Sequence, residues 1–283
     1  MKLAEFIKGA VGRLEALYPE REARSIVLML CESSLGTKNY THIVEPEYQV
    51  PAAKEPELEA AMERLCTGEP IQYVLGKADF YGRTFKVSPS VLIPRPETEL
   101  LCREAIKIAE RMVRMRSAYG KNKLRILDLC TGSGCIAWTM ALEIPGSEVV
   151  GVDISNDALK VACSQTFEEI DKNHSSISFV QGDVLEADLL PEIGKFDLIL
   201  SNPPYIKESE KAKMRRNVLE HEPALALFVP DEDPQLFYRA VGFLAKRLLN
   251  PEGFGLVEIN ETEGPQTQAA INATFKMLNQ IED

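Results

Sequence analysis

From Lys123 onward the chain alternates short apolar runs with helix-patterned stretches, and this rhythm limits its fold more than any other feature. Leu124–Leu129 reads as a buried strand and Gly134–Ile144 as a helix. Glu148–Val152 is a second strand, followed by a helix capped at Ser155 or Asn156 and running from Asp157 to about Asp171. Ile177–Gln181, Phe196–Ser201 and Gly255–Ile259 are three further strands. Such alternation predicts an α/β domain, a parallel sheet with helices on both faces.

The segments before it differ in kind. Leu3, Phe6, Ile7, Ala10, Val11, Leu14 and Leu17 recur at helical spacing. Helices are also expected from about Arg21 to Leu35 and from Glu57 to Cys66, so residues 1–75 form a small helical domain. Residues 76–97 carry strand-type residues, with Gly82 and Ser88-Pro89 as turn signals, and predict a β-hairpin linker. The linker ends in IPRPETE, where Pro96 suits a first helical turn and Glu97 and Glu99 favour its positive end. Residues 98–283 make up the third segment.

Composition narrows the function. Forty-three acidic against 32 basic residues give a net charge of −11, which disfavours a long nucleic-acid track. No apolar run reaches the length of a membrane span. The amphipathic N-terminus lacks a signal peptide's unbroken apolar centre, so a cytoplasmic protein is expected. Cys31, Cys66, Cys102, Cys130, Cys135 and Cys163 form no CxxC pair, and with only three histidines no metal site is expected.

Four loops after strands carry the chemistry. Asp128-Leu-Cys-Thr-Gly-Ser-Gly134 joins a strand to a helix, and its glycines let a backbone approach a ligand, although a plain tight turn reads alike. Asp153 ends the second strand, where a carboxylate can accept hydrogen bonds from a ribose diol. Asp183 follows the third, where it can take an adenine amino hydrogen. Each acid alone is more often a loop cap, but ligands bind at this edge of open α/β sheets. Ser201-Asn-Pro-Pro-Tyr205 follows the fourth strand. Its prolines remove two N–H donors, so the backbone offers carbonyls, and Asn202 adds a side-chain carbonyl. Such acceptors suit an –NH2 group, and Tyr205 offers a flat face to a planar amide or base.

The run FDLILSNPPYI at 196–206, with PIQYVLGKADFYGRTFKVSPSVLIPRPETELL at 70–101, resembles the release factor glutamine methyltransferases (PrmC or HemK). ILDLCTGSGCIA at 126–137, GVDIS at 151–155, EPALALF at 222–228 and LVEINE at 256–261 extend the resemblance across about residues 1 to 262. It implies a class I, Rossmann-like S-adenosylmethionine-dependent methyltransferase domain. It further implies methylation of the glutamine side-chain amide in the Gly-Gly-Gln loop of class 1 peptide chain release factors, with no membrane and no direct nucleic-acid partner. By motif, Cys130, Thr131, Gly132, Ser133 and Gly134 line the cofactor's methionine part, Asp153 holds the ribose, and Asp183 and Val184 border the adenine. Asp128 and Asn202 complete the cofactor set. Asn202, Pro203 and Tyr205 are the catalytic group and, with Pro204, Arg95 and Glu97, contact the substrate.

Two departures stand out. The loop Pro230-Asp-Glu-Asp-Pro-Gln-Leu-Phe237 lacks the family's glycine-rich form. The fold is expected to close with two more strands, one antiparallel, yet the residues after Ile259 read as one helix and a tail. Rival readings are a nucleic-acid adenine or cytosine amino methyltransferase, a ribosomal-protein glutamine methyltransferase, and an inactive cofactor-binding protein. The first would need its base flipped from the stack.

Overall fold

The computed structural model describes residues 1–117, 123–186 and 193–281, with side chains to residue 274 in the last helix. Two compact units emerge: Met1–Lys77 together with Arg215–His221, and the rest of the described chain from Ala78 onward.

The first unit is helical. It comprises α1 (Leu3–Leu14), α2 (Glu20–Leu35), α3 (Thr41–Val44), α4 (Glu55–Cys66) and α5 (Ile71–Leu75). Leu3, Phe6, Ile7, Ala10, Val11 and Leu14 all face inward, where they meet Val27, Leu30, Leu58, Met62 and Leu65. Gly36, with φ of 68°, ends α2 in the left-handed conformation that glycine adopts without strain.

The second unit opens with a hairpin, β1 (Lys77–Phe80) and β2 (Arg83–Lys86). Tyr81 and Gly82 both have positive φ, 49° and 73°, as a two-residue hairpin turn of the right twist requires. Phe80 and Phe85 point into the core, and Phe85 meets Phe167, which in turn stacks near Trp138. Next come α6 (Pro96–Ser117), β3 (Arg125–Leu129), α7 (Cys135–Glu143) and β4 (Glu148–Asp153). They are followed by α8 (Asn156–Ser164), α9 (Glu169–Lys172), β5 (Ser176–Gln181) and β6 (Phe196–Ser201). The short strands β7 (Ile206–Lys207) and β8 (Phe228–Val229) flank α10 (Arg216–His221) in the chain, and α10 belongs to the helical unit. The second unit ends with α11 (Leu236–Leu248), β9 (Leu249–Val257) and α12 (Gly264–Ile281).

The main sheet runs β5-β4-β3-β6-β9, and all four pairings are parallel. Alternate residues of β3 and β6 separate two cores. Ile126, Leu198 and Leu200 pack with α6 and α7; Leu127, Leu129 and Ile199 pack with α11. Among the described residues no strand follows β9, and α12 instead packs on α11, where Gly242 lies against Ile271 and Thr274.

Two elements depart from expectation. The helix expected from Asp157 to about Asp171 is broken after Ser164, because Gln165 turns extended (ψ 145°) and spends its side chain elsewhere. Its amide accepts from the Lys86 N–H and donates to the carbonyls of Lys86 and Ser133. β9 begins before Gly255 and stops at Val257, with a register shift against β6 at Phe196 and Leu198 and with Glu252 at φ 66°.

Asp197 anchors the lower end of β6. It is buried and accepts from Arg116 at 2.8 Å, from the Arg125 N–H at 2.9 Å and from Asn250 at 2.8 Å. Burial opposes its charge, but these donors outweigh it and hold the carboxyl below the usual aspartate range. Asp197→Ala leaves three donors without an acceptor and should cost about 3 kcal/mol by urea denaturation. A lowered folded pKa gives stability that is present above the ordinary value of about 3.9 and lost as the pH falls through the folded value. The gap between wild type and variant should therefore close in acid.

Candidate active site

The upper ends of the strands converge on one cavity of ≈ 290 Å³. Its walls come from the loop after β3, the ends of β4 and β5, the start of the Asn-Pro-Pro-Tyr loop and the segment leading into α6. All of these lie in the second unit.

The loop after β3 is shaped from beneath. Asp128 is fully buried, and its Oδ2 accepts from the Thr131 hydroxyl at 2.5 Å and from the Ala137 N–H at 3.1 Å. Oδ1 has no hydrogen-bond partner, and burial pushes the carboxyl up to about 7. Cys130, Gly132 and Gly134 all adopt positive φ, at 61°, 55° and 78°. Gly151 of β4 leaves the loop no room to spare: a Cβ there would stand 2.6 Å from Phe179 and 2.9 Å from the Thr131 hydroxyl.

Asp153 closes the loop from the side. Oδ2 accepts from the Gly132 N–H at 2.8 Å, and Oδ1 from the Ser155 N–H at 2.9 Å. Both oxygens are engaged by backbone donors, and the acceptor capacity that remains can serve a ligand's hydroxyl. Burial raises its pKa, and the backbone donors from Ser155, Gly132 and Ile154 partly offset that. Asp183 accepts from the Leu185 N–H at 2.8 Å, a local turn that aims the loop after β5. Val184 is buried beside it, and with Ile154, Leu185 and Phe237 it gives this end of the cavity an apolar wall.

At the other end, Ser201 is buried and its hydroxyl donates to the Leu129 carbonyl at 2.8 Å. Asn202 lies in the wall, and its Nδ2 donates to the Thr98 hydroxyl at 3.2 Å. Tyr205 donates to Glu258 Oε1 at 3.2 Å. Burial first, then the neighbouring Glu258, pushes the Tyr205 phenol up to about 12, so it remains a donor. Arg95 is paired at 2.5 Å with the buried Glu222, which also accepts from the Ile93 N–H.

The cavity therefore gathers Cys130, Thr131, Gly132, Ser133, Asp153, Asp183, Val184, Asn202, Pro204 and Arg95 of the residues singled out by sequence. Gly134, at the helix start, and Asp128, Pro203, Tyr205 and Glu97 are not in its lining. Asp128 supports the loop from behind, Tyr205 turns to Glu258, and Glu97 is exposed. Sequence reasoning passed over Thr98, Glu222 and Glu258. The acids lie in EPALALF and LVEINE, but a lone glutamate beside prolines or at a strand end carries no local mark of its partner.

A family model described as a methyltransferase domain matches residues 120–282, and one described as the PrmC N-terminal domain matches residues 5–76. A release factor glutamine methyltransferase of Bacteroides thetaiotaomicron is 40% identical over 251 residues, 89% of this chain and 84% of the relative. One from Flavobacterium psychrophilum is 36% identical over 257 residues, covering 91% and 86%. One from Koribacter versatilis is 36% identical over 259 residues, covering 92% and 86%. The chain belongs to the release factor glutamine methyltransferase family.

As a member of this family it is an S-adenosylmethionine-dependent methyltransferase. The cavity's residues fit that cofactor. Positive-φ backbone in the loop after β3 allows close approach. Asp153 lines the cavity with acceptor capacity to spare, and the apolar wall at Ile154, Val184 and Leu185 suits a flat base. None of the described helices is long and apolar enough to cross a membrane. Among the described residues no cluster of His, Cys, Asp or Glu could hold a metal ion.

Gly151→Ala tests the close packing. The added methyl group must displace Phe179 or Thr131, an overpacking cost of about 1–3 kcal/mol. Thermal unfolding should show the loss, and calorimetry should show weaker binding of S-adenosylhomocysteine, because Thr131 sets the loop.

Proposed function

We propose that this enzyme transfers a methyl group to the side-chain amide nitrogen of a glutamine in a class 1 release factor, within its Gly-Gly-Gln loop. The observation that carries the reading is the Asn-Pro-Pro-Tyr loop at the end of β6, with Asn202 in the wall of the same cavity as Asp153 and the loop after β3. The family supports it, since its members are named for release factor glutamine methylation.

S-adenosylmethionine supplies an electrophilic methyl group on its sulfonium. A glutamine nitrogen is a poor nucleophile because its lone pair is delocalised into the carbonyl. The protein's task is to hold that nitrogen in line, about 3 Å from the methyl carbon. Asn202 Oδ1 and the Pro203 carbonyl accept the two amide hydrogens and orient the group. The same acceptors stabilise positive charge as the nitrogen–carbon bond forms and the sulfur–carbon bond breaks. The methylated amide cation is a strong acid and sheds its proton to solvent afterwards, so no histidine base is required. Tyr205 limits where the planar amide lies, and Pro204 and Arg95 border the substrate, with Glu97 at the rim. On the cofactor side Asp153 holds the ribose, Asp183 and Val184 border the adenine, and residues 130–134 surround the methionine part, with Asp128 acting through Thr131.

Mass spectrometry of a release factor incubated with enzyme and cofactor should show a single added methyl group on the Gly-Gly-Gln glutamine. Methylation of DNA, RNA or ribosomal proteins instead would refute the substrate reading. Asn202→Ala should lower single-turnover transfer on the order of 10²–10³-fold while leaving cofactor affinity intact. Asp153→Ala should do the reverse of that division, weakening cofactor binding by about 1.5–3 kcal/mol as measured by calorimetry.

A further inference from the structure

The cofactor brings one anion, the carboxylate at the end of its methionine part. A carboxylate leaves water only at a high cost unless donors or a cation receive it. Of the described residues that line the cavity, Arg95 is the only cation, and the other charged side chains in the lining are Asp153 and Asp183. Both of those acids repel a ligand carboxylate. Arg95 belongs to the Asn202 end of the cavity. Its own carbonyl accepts from the Thr98 N–H at 3.1 Å, and the Thr98 hydroxyl accepts from Asn202 Nδ2 at 3.2 Å.

Sequence and packing hold this arginine in place. Pro94 and Pro96 flank it, and a residue before proline is restricted to extended backbone. Its Nη2 donates to Glu222 Oε1 at 2.5 Å, and Glu222 Oε2 accepts from the Ile93 N–H at 3.2 Å. The Glu222 side chain is 1% exposed and the Arg95 side chain 33%. The acid end of the pair is thus sealed, while the guanidinium stays reachable from the cavity it lines. A guanidinium carries five N–H donors in a planar fork, and among the described residues Glu222 is the one side chain bonded to it. The remaining donors suit a second carboxylate. Pairing with Glu222 also keeps a bare positive charge away from a nitrogen that becomes cationic as it is methylated.

We infer that Arg95 binds the carboxylate of the cofactor's methionine part, with Glu222 as the residue that positions it. This rests on the cofactor placement proposed above, with the ribose at Asp153 and the methionine part along residues 130–134. A glutamine side chain is neutral and gives a guanidinium no anion to pair with, so the cofactor is the partner whose charge fits. The two ends of the cavity then recognise different parts of one ligand. Asp153 serves any ligand that keeps the ribose, and Arg95 serves only one that keeps the carboxylate.

The test is calorimetry on the full chain without a release factor. Its ligands are S-adenosylhomocysteine and the decarboxylated form, which keeps the nucleoside, the sulfur and the ammonium group. The wild-type protein should bind S-adenosylhomocysteine on the order of 10- to 100-fold more tightly, as a charge-assisted hydrogen bond requires. Arg95→Gln alone would leave Glu222 buried and unpaired, so it is combined with Glu222→Gln, and Tm checks the fold of the double variant. There the preference should vanish, with S-adenosylhomocysteine bound more weakly and the decarboxylated ligand unchanged. Arg95→Lys keeps a charge beside Glu222 but loses the fork, and should retain part of the preference. A wild-type protein indifferent to the carboxylate, a double variant that keeps the preference, or equal losses for both ligands overturns the inference. Asp153→Ala should weaken both ligands alike, since both carry the ribose. If it weakens neither, the cofactor placement fails first. If it weakens both while the double variant keeps its preference, only the role of Arg95 falls.

Discussion

The site rests on one buried carboxylate. Asp128, one residue before the end of β3, sits among apolar neighbours, takes the Thr131 hydroxyl and the Ala137 N–H on a single oxygen, and so folds the chain back on itself between β3 and α7. Without that bond the positive φ of Cys130, Gly132 and Gly134 would lack a counterweight. Asp153 then grips the same loop from the neighbouring strand through the Gly132 N–H. Two carboxylates on adjacent parallel strands thus hold one loop, and both carry pKa values raised by burial. The cost of burying them is offset by the Thr131 hydroxyl and by backbone N–H groups rather than by cations.

A second set of acids works at a distance from the cofactor side. Glu222 pins Arg95 and the Ile93 N–H, so the segment before α6 is drawn against the residues that follow α10. Glu258 does the same for the Asn-Pro-Pro-Tyr loop through Tyr205. The acidic balance of the chain, which in sequence suggested only a dislike of nucleic acid, is here in part a framework of buried anchors.

The sheet was legible because β3, β4 and β6 are continuous apolar runs that could be buried on both faces, and their ends fall within a residue or two of the expected ones. The loops were legible as places, since glycines and acids after parallel strands mark a ligand edge. Which side chain faces the cavity was less so. Asp128 and Asp153 look alike in sequence, yet one is sealed beneath the loop and the other lies in the cavity wall. Tyr205 and Glu258 are 53 residues apart and meet only because β9 pairs with β6, a contact that no local pattern encodes. The break after Ser164 was missed for a similar reason: helix periodicity continued, and a long-range bond overruled it.

That break has a wider meaning. At Gln165 the chain gives up helical continuity so that one side-chain amide can join the hairpin at Lys86 to the carbonyl of Ser133. Local preference and site order pull in opposite directions at this residue. Selection for thermal robustness alone would favour residues that extend α8, and each such change would release the loop from the hairpin. In this fold, then, the easiest route to a sturdier protein passes through a blunter enzyme.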